Sequence, residues 1–598
     1  MVAAVSVPPD HGPVSGGLYF SAHAAGDGAL PPADGVTLIS ADTPGQIPPN
    51  QIPPGETPAG GDDGGGGTVG SSAVMAVGSL VSRVIGFVRN ALIGMTLGGI
   101  GDAYTSAQFL PGQIYELLLG GILSSVLIPL LVRRRKADPD GGQEFTQRLL
   151  TFAVVSLGIA TVLVVVAAPA ITLIQSGSGT SGAYRDLVTK FAYLILPIIF
   201  FTGLSALIAA VLNVRGHFAA PMWAPILNNL VVIATCGVFI GVFGAAKGLR
   251  VADMTPGRIM LIGGGTLLGM VVQAAGLLPA LRRVGFTWKW RWGPRSLGLR
   301  EIGGLAGWML LYVGGNQIAI FVVVRLLSKV SGGDTASVLA FNNVFLLTMM
   351  AHGIIGVSVM TALLPKMSGA AADGRYADVS ADLSRGIRLT ATALAPIAVV
   401  YGVLAAPIAV TLFQGGAYTN EMALATGGVL VVAAFAVLPL SISYLCTYAF
   451  YSLQANKTAA LINLPVVAVR IGAYIVLGAL LSNSLAAAGM TAGNAISYVV
   501  SAVISLAVLR RRIGRLNLGS VAGGLLKVLI AAAVAAALGL LVVHLLPGGA
   551  DPDGRGEALL QLLVGGSVIM VGYLGAATVL RVPEISQVVD MVRRKLGR

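Results

Sequence analysis

The chain has 598 residues, of which 55% are hydrophobic and 11% are charged, with a formal net charge of +13. Soluble proteins usually carry about 25% charged residues, so this composition excludes an ordinary soluble protein and indicates an integral membrane protein. The basic residues lie in short clusters beside apolar runs, where they serve as orientation signals, and this pattern excludes a nucleic-acid partner.

The first 70 residues are rich in Pro, Gly, Asp and Ser. Such a stretch buries too little apolar surface to offset the entropy lost on ordering, so it is predicted to be a disordered cytoplasmic tail. It has no basic start followed by an apolar run, which excludes a secretory signal peptide. We therefore expect the first apolar segment to direct membrane insertion.

Fourteen long apolar segments follow the tail. They lack the period-2 alternation of an outer-membrane barrel, so each is predicted to satisfy its own backbone hydrogen bonds as a helix. The predicted fold is an all-α polytopic membrane protein with fourteen transmembrane helices. The segments span residues 72–98, 104–132, 149–174, 187–213, 221–244, 258–281, 303–328, 337–364, 386–413, 422–451, 458–481, 485–509, 522–547 and 557–580.

The basic clusters set the predicted orientation. If the N-terminus is cytoplasmic, the clusters at 133–136, 282–300, 366–388 and 510–512 and the basic C-terminus all fall on the cytoplasmic side. The opposite loops hold only scattered basic residues. The positive-inside rule therefore predicts that both termini are cytoplasmic.

An internal repeat links the two halves of the chain. The stretch LVVVAAPAITLIQSGS (163–178) resembles YGVLAAPIAVTLFQGGA (401–417), and Pro365 follows Pro129 by 236 positions. A repeat of six helices preserves direction, so it predicts two lobes related by an axis along the membrane normal, with a site between them. The predicted organisation is an N-terminal lobe, a C-terminal lobe, and two extra helices with a basic C-terminus, at residues 71–283, 284–515 and 516–598.

No common enzyme motif is present: the P-loop, HExxH, CxxC and GxSxG patterns are all missing from the sequence. We therefore expect transport without catalysis, cofactor or metal. Cys236 and Cys446 lie in apolar segments without a partner at metal-ligand spacing and are interpreted as packing residues. The isolated His352 and His544 are interpreted as histidines that are hydrogen-bonded within the protein or lie at the membrane interface.

Four arginines interrupt the apolar segments: Arg83, Arg89, Arg325 and Arg470. An arginine at the bilayer centre costs about 2.5–3.5 kcal/mol. Glu116, the clearest intramembrane carboxylate, cannot neutralise all four. Some are therefore predicted to line a wet cavity and bind an anion, while snorkelling or internal pairing remains the alternative for each. A guanidinium fork suits phosphate, and two suit a pyrophosphate.

Helix geometry and the repeat refine this prediction. Arg83 and Arg89 are about 120° apart on a helix, so they share one cavity only if it is broad or the helix bends near Gly86. Adding 236 positions to Arg89 leads to Arg325. We therefore hypothesise that Arg325 supplies charge to the site from the second lobe. The alternative is that Arg325 lies near the end of its helix and snorkels to the interface.

The stretch SRVIGFVRN (82–90), followed by GDAYTSAQFLPGQIYELLLGGILSSVLIPLL (101–131), resembles the start of the bacterial lipid II flippases. This MurJ/MviN family belongs to the multidrug/oligosaccharidyl-lipid/polysaccharide exporter superfamily. Similarity continues through NQI (316–318) and GVSVMTALLP (356–365), and covers the chain from about residue 71 onward. The matching motif positions are Ser82, Arg83, Gly86, Phe87, Arg89, Asp102, Ala103, Tyr104, Leu110, Pro111 and Pro129.

The resemblance implies a flippase in the bacterial cytoplasmic membrane. Its substrate would be lipid II, the undecaprenyl-pyrophosphate-linked peptidoglycan precursor, moved by alternating access without ATP hydrolysis. It assigns Arg83 and Arg89 to the headgroup, Asp102 to the periplasmic end of the cavity, and residues 522–580 to a lipid-tail groove. Membrane lipids and cell-wall synthesis proteins are further expected partners. Secondary candidate site residues are Ser82, Glu116, Asn342, Asn343 and Arg470.

The sequence departs from the family pattern at several positions. Tyr115 stands where a basic residue is common, and Leu346 lies near the position of a helix-8 arginine. The acidic residues that form a sodium site in some members have no evident counterpart, and Arg470 occupies that helix instead. Membrane potential or another ion is therefore favoured over sodium as the energy source.

Three other functions remain open at this point. A flippase for another polyprenyl-linked oligosaccharide would use the same cationic cavity. A multidrug antiporter would need a carboxylate-rich cavity for cationic substrates, which the arginines disfavour. A scaffold that recruits cell-wall enzymes would depend on the N-terminal tail instead of the arginines.

Overall fold

The computed structural model describes residues 67–115, 128–177, 179–297, 299–331, 337–514 and 518–585. Within these ranges the secondary structure is helical, apart from one isolated bridge between Gly415 and Tyr418. The predicted all-α fold is therefore confirmed. Most of the predicted N-terminal tail, up to residue 66, lies outside the described ranges, and α1 already begins at Gly67.

In chain order, the helices of the described residues are α1 (Gly67–Leu97), α2 (Gly101–Tyr115), α3 (Ile128–Ala137), α4 (Gln143–Val166), α5 (Ala168–Ser176), α6 (Gly182–Ile195), α7 (Ile198–Val214), α8 (Ala219–Phe243), α9 (Pro256–Arg283), α10 (Leu299–Ser328), α11 (Ser337–Ala351), α12 (Val357–Ala372), α13 (Tyr376–Val403), α14 (Ala405–Phe413), α15 (Asn420–Ser452), α16 (Asn456–Leu480), α17 (Ala486–Ile513), α18 (Leu518–Leu545) and α19 (Arg555–Val579). A 3-10 turn, Gly98–Ile100, joins α1 to α2, and a π-helical turn, His352–Gly356, joins α11 to α12.

The described residues contain 13 helices that are long and apolar enough to cross a membrane. The chain is therefore a multi-pass membrane protein. The second predicted segment, 104–132, corresponds to α2 and α3, and residues 116–127 between them lie outside the described part. The predicted total of fourteen helices remains a prediction.

The internal repeat has a structural counterpart at its two AAP motifs, residues 167–169 and 405–407. The third predicted segment breaks at Ala167, the first residue of its motif, and restarts as α5. The ninth breaks at Leu404, directly before its motif, and restarts as α14. Both short helices have 9 residues. A proline near each restart fits these breaks, because proline lacks the N–H that an uninterrupted helix needs.

Helix packing follows the two halves of the chain. In the first half α8 packs against α1 and α9, and in the second half α15 packs against α13 and α17. The halves meet where α2 contacts α10 and α11, α1 contacts α11 and α14, and α5 contacts α10. The helices α18 and α19 pack against each other and against α13 and α14. The exact lobe boundaries remain a prediction.

An ion pair links the segment after α19 to helix α13. Arg388 Nε lies 2.9 Å from Glu584 Oε1, and the two side chains are 23% and 9% exposed. We expect Glu584→Gln to lower the stability by about 1–3 kcal/mol, because it removes the charged acceptor that this largely buried guanidinium contacts. Thermal unfolding of the purified protein measures this effect.

The matched control is Asp373→Asn, which alters an ion pair to Arg375 between side chains that are 61% and 57% exposed. Exposed ion pairs contribute little, so no change in melting temperature is expected. Equal changes in the two variants would contradict the assigned role of Glu584.

Candidate substrate-binding cavity

A cavity of about 710 Å³ lies among α10, α11, α15, α16 and α17, with contributions from α1, α2 and the π-helical turn. Among the described residues that line it, Arg83 and Arg470 are the charged ones, and His352 is the only histidine. No carboxylate is found among the described residues that line it. Because the positive charge of these arginines has no carboxylate partner among the described lining residues, this part of the cavity fits an anionic ligand.

Arg83 reaches the cavity from α1. Its side chain is exposed, and no described residue forms a hydrogen bond or ion pair with it. The guanidinium lies against Gly353 in the π-helical turn, where a Cβ atom would overlap Nη1 and stand 3.3 Å from Cζ. The absence of a side chain at position 353 thus provides the space that Arg83 occupies.

We expect Gly353→Val to displace the Arg83 guanidinium and to weaken anion binding by roughly tenfold, with little loss of stability. The displaced group is the end of a flexible side chain, and a charge-assisted contact contributes about 1.5–3 kcal/mol. Binding of a pyrophosphate-linked lipid by the purified protein measures the effect. The control is Gly369→Val in α12, where nothing lies within 4 Å of an added Cβ. Equal binding by both variants would contradict the prediction.

Arg89 is not among the described residues that line this cavity. It donates hydrogen bonds to Asn229 Oδ1 and Asn90 Oδ1, each 3.3 Å long, while its buried Nε has no partner among the described residues. Asn229 in turn donates to the Ser82 carbonyl oxygen at 3.4 Å. In this conformation Arg83 and Arg89 therefore occupy different environments, as their angular separation on α1 suggests.

Arg470 lines the same cavity as Arg83. Its Nε donates to Ser497 Oγ at 2.9 Å and its Nη1 donates to Asn316 Oδ1 at 3.1 Å. Its Cζ lies 5.2 Å from the centre of the Tyr498 ring, within range of a cation–π interaction. Arg470 is therefore held in place by α10 and α17.

Asp102 lies at the end of the bundle where α1 passes into α2, which we call the α1–α2 end. Its side chain is fully buried and accepts hydrogen bonds from Ser331 Oγ at 2.5 Å and from the Leu339 N–H at 2.8 Å. Leu339 is in the first turn of α11, where backbone N–H groups lack helical partners. Asp102 thus caps α11 from the other half of the chain and does not line the cavity.

Further contacts join the two halves at the same end. The Ala417 N–H donates to the Met95 carbonyl oxygen at 2.7 Å. Gly98 has a φ of 55°, and a Cβ atom there would stand 2.5 Å from the Ala417 carbonyl oxygen. Only glycine allows this approach, because any side chain would overlap the backbone. The α1–α2 end is therefore tightly closed.

Arg325 is part of this closure. It lies in the last turn of α10, donates to the Ile174 carbonyl oxygen in α5, and is not among the described residues that line the cavity. Its location near a helix end agrees with the alternative interpretation from the sequence. Its role in ligand binding remains a prediction.

The remaining candidates are distributed as follows. Asn343 in α11 is fully buried, and neither of its amide atoms has a partner among the described residues. Asn342 is half-buried beside it. Glu116 lies outside the described residues. Neither Asn342 nor Asn343 is among the described residues that line the cavity with Arg83.

Sequence reasoning missed an aromatic wall on α15. Tyr444, Tyr448 and Tyr451 all line the cavity, and the Tyr448 and Tyr451 ring centres are 6.0 Å apart. Their spacing of four and three residues places them on one helix face, and this signal was present in the sequence. The His352 ring lies tilted against the Tyr444 ring, with centres 4.8 Å apart, and His352 Nδ1 forms a hydrogen bond with Ser441 Oγ at 2.9 Å.

The fold and this cavity define a multi-pass membrane transporter with a positively charged internal site. The family described as "Lipid II flippase MurJ" matches residues 90–550. The chain belongs to this family. The match begins at Asn90, the last residue of the SRVIGFVRN motif, so Arg83 and Arg89 lie just before it.

Individual relatives agree with this family. The "Probable lipid II flippase MurJ" of Bdellovibrio bacteriovorus is 24% identical over 526 residues, which cover 87% of this chain and 96% of the relative. A solved structure described as "Lipid II flippase MurJ, inward closed conformation" has a TM-score of 0.66 at 18% identity and covers 88% of this chain and 100% of that one. An inward-facing multidrug resistance MATE family transporter has a TM-score of 0.58 at 18% identity, over 74% of this chain and 99% of the other. These two structures show a similar fold.

Proposed function

We propose that the chain is a lipid II flippase of a bacterial cytoplasmic membrane. The observation that carries the proposal is the position of Arg83, which enters the cavity without a described protein partner while no described lining residue is a carboxylate. A guanidinium inside such a cavity attracts an anion, and its planar fork suits phosphate oxygens. The family membership supports lipid II as the source of that phosphate.

Transport would proceed by alternating access. With both termini in the cytoplasm, the closed α1–α2 end would face the periplasm, and the cavity would receive the headgroup from the cytoplasmic side. For the α1–α2 end to open, the contacts that Asp102 and Arg325 make between the two halves must break. In that second state Arg325 would be released from α5 and would join the site as the charge from the second half of the chain.

Arg89 would complete headgroup recognition during the same change. Its weak 3.3 Å hydrogen bonds to Asn229 and Asn90, and its buried Nε without a described partner, leave donor capacity for an anion. The lipid tail would follow the outer surface of α18 and α19. This surface carries exposed apolar side chains such as Leu529, Leu563 and Val571.

The process needs binding and conformational change without covalent chemistry, so the chain would not be an enzyme. Cell-wall synthesis proteins would be further partners. The fold is shared with MATE transporters, which leaves drug export as a second candidate. The two cavity arginines disfavour it, since a cationic drug would face like charge.

Replacement of the essential lipid II flippase in a bacterial depletion strain tests the proposal. Cells that express this chain should survive, and lipid II should become accessible at the outer face of the membrane. Cells that express the Arg83→Ala variant should not. Failure of the wild-type chain to restore lipid II accessibility, despite membrane insertion, would refute the proposal. Export of a different polyprenyl-linked oligosaccharide would then be the function to measure.

A further inference from the structure

The second cavity arginine, Arg470, is held rigidly by its neighbours. Asn316, which accepts from Arg470, donates through its own Nδ2 to the Tyr312 carbonyl oxygen at 2.9 Å. Ser497, the other acceptor, donates to the Asn494 carbonyl oxygen at 2.7 Å. Because both acceptors are themselves fixed, the guanidinium has a defined orientation before any ligand binds.

These contacts use only part of the guanidinium. Nε and Nη1 have partners, whereas Nη2 has none among the residues that the structure describes. Both acceptors are uncharged, so the positive charge of Arg470 is not neutralised by a described carboxylate. An anionic oxygen at Nη2 would supply the missing charge and accept the remaining hydrogen bonds.

The surroundings of Arg470 differ from those of Arg83. Arg470 lies among phenols and amides on α10, α16 and α17, including Tyr312, Tyr498 and Asn463, all of which line the cavity. Such groups hydrogen-bond to sugars and peptides and stack on their apolar faces. Arg83 comes instead from α1, against the glycine of the π-helical turn. The cavity therefore offers two separate cationic positions in two different chemical environments.

We propose that Arg470 binds a carboxylate in the peptide part of the headgroup, while Arg83 binds the pyrophosphate. This inference rests on the proposed lipid II function. A peptide that is attached to a disaccharide ends in a carboxylate at a distance from the pyrophosphate, so one ligand presents both anions. Arg470 thereby distinguishes an acidic peptide from a neutral one.

The experiment compares two ligands and three variants of the full chain. Binding to the purified protein is measured for lipid II and for lipid II whose peptide carboxylates have been converted to amides. For Arg470→Gln we expect about a tenfold loss of affinity for lipid II and less than about a twofold loss for the amidated lipid. For Arg83→Gln we expect similar losses for both lipids. The control Arg511→Gln removes an exposed arginine at the end of α17 and should change neither affinity.

Each alternative outcome has a distinct meaning. Equal losses for both lipids in Arg470→Gln would place this residue at the phosphate or give it a purely structural role, and would overturn the inference. Unchanged affinity for both lipids would overturn it as well. If the wild-type chain binds neither lipid, the proposed function itself fails. If it binds both equally well and Arg470→Gln has no selective effect, only the carboxylate assignment fails.

Discussion

Arg83→Ala is expected to reduce lipid II flipping by at least about tenfold while the protein remains inserted and folded. No described residue pairs with the Arg83 side chain, so its removal breaks no hydrogen bond or ion pair in the described part of the chain. A charge-assisted contact to phosphate contributes about 1.5–3 kcal/mol, which corresponds to a tenfold or larger change in occupancy. Flipping in reconstituted vesicles and thermal unfolding together measure the two effects.

Two further variants sharpen this test. Arg83→Lys keeps the charge but loses the planar fork, so its activity should lie between those of wild type and Arg83→Ala. Arg511→Ala, which alters an exposed arginine at the end of α17, should flip lipid II normally. Wild-type flipping by Arg83→Ala, or an equal loss in Arg511→Ala, would remove Arg83 from the binding site.

Asp102→Ala is expected to open the α1–α2 end. The substitution removes the charged acceptor of two buried hydrogen bonds, from Ser331 Oγ and the Leu339 N–H, which link the two halves of the chain. Hydrogen bonds to charged groups contribute about 1.5–3 kcal/mol each, so the closed state should lose about 3 kcal/mol or more. That loss shifts the balance between closed and open states by a factor of at least roughly 100.

Cysteine labelling measures this opening. Ala417 is buried at the contact between the two halves, so a cysteine introduced there reports on opening of this contact. The native Cys236 and Cys446 are both buried elsewhere in the protein. An impermeant thiol reagent should label the Ala417→Cys protein much faster when Asp102→Ala is present. Asp186→Asn, which alters an exposed pair with Lys190, is the control and should leave labelling slow. Equally slow labelling in all three proteins would mean that Asp102 does not maintain the closure.

The sequence predicted the type of fold because local patterns determine it. Long apolar segments without period-2 alternation must form helices in a membrane, and the structure confirms an all-α chain with 13 candidate spans among the described residues. The AAP repeat related the two halves, but residues 149–174 and 386–413 were each predicted as one uninterrupted segment, whereas each breaks at its AAP motif and restarts as α5 or α14. Helix ends were less well anticipated, because the break in the middle of a predicted segment depends on packing as well as on proline.

The candidate site was predicted only in part. All four arginines interrupt apolar runs and incur the same cost in a membrane, so the sequence alone does not distinguish which of them bind a ligand. They are Arg83, Arg89, Arg325 and Arg470. In the structure Arg83 and Arg470 line one cavity, Arg89 bonds to Asn229, and Arg325 contacts Ile174. The offset of the internal repeat identified Arg325 as the position in the second half that corresponds to Arg89. It did not reveal that Arg325 contacts the end of α5.

By itself, therefore, the sequence determined that this protein spans a membrane many times and that its halves are repeated, and it predicted that some of its arginines bind an anion. These properties follow from composition and spacing along single helices. Only the tertiary structure decided which arginines meet in one cavity and how Asp102 caps α11. Both depend on the rotation of each helix about its axis and on contacts between residues far apart in the chain, such as Asp102 and Leu339 with a separation of 237. Hydrophobic periodicity does not specify such contacts, because lipid-facing and core-facing surfaces of a membrane helix are both apolar.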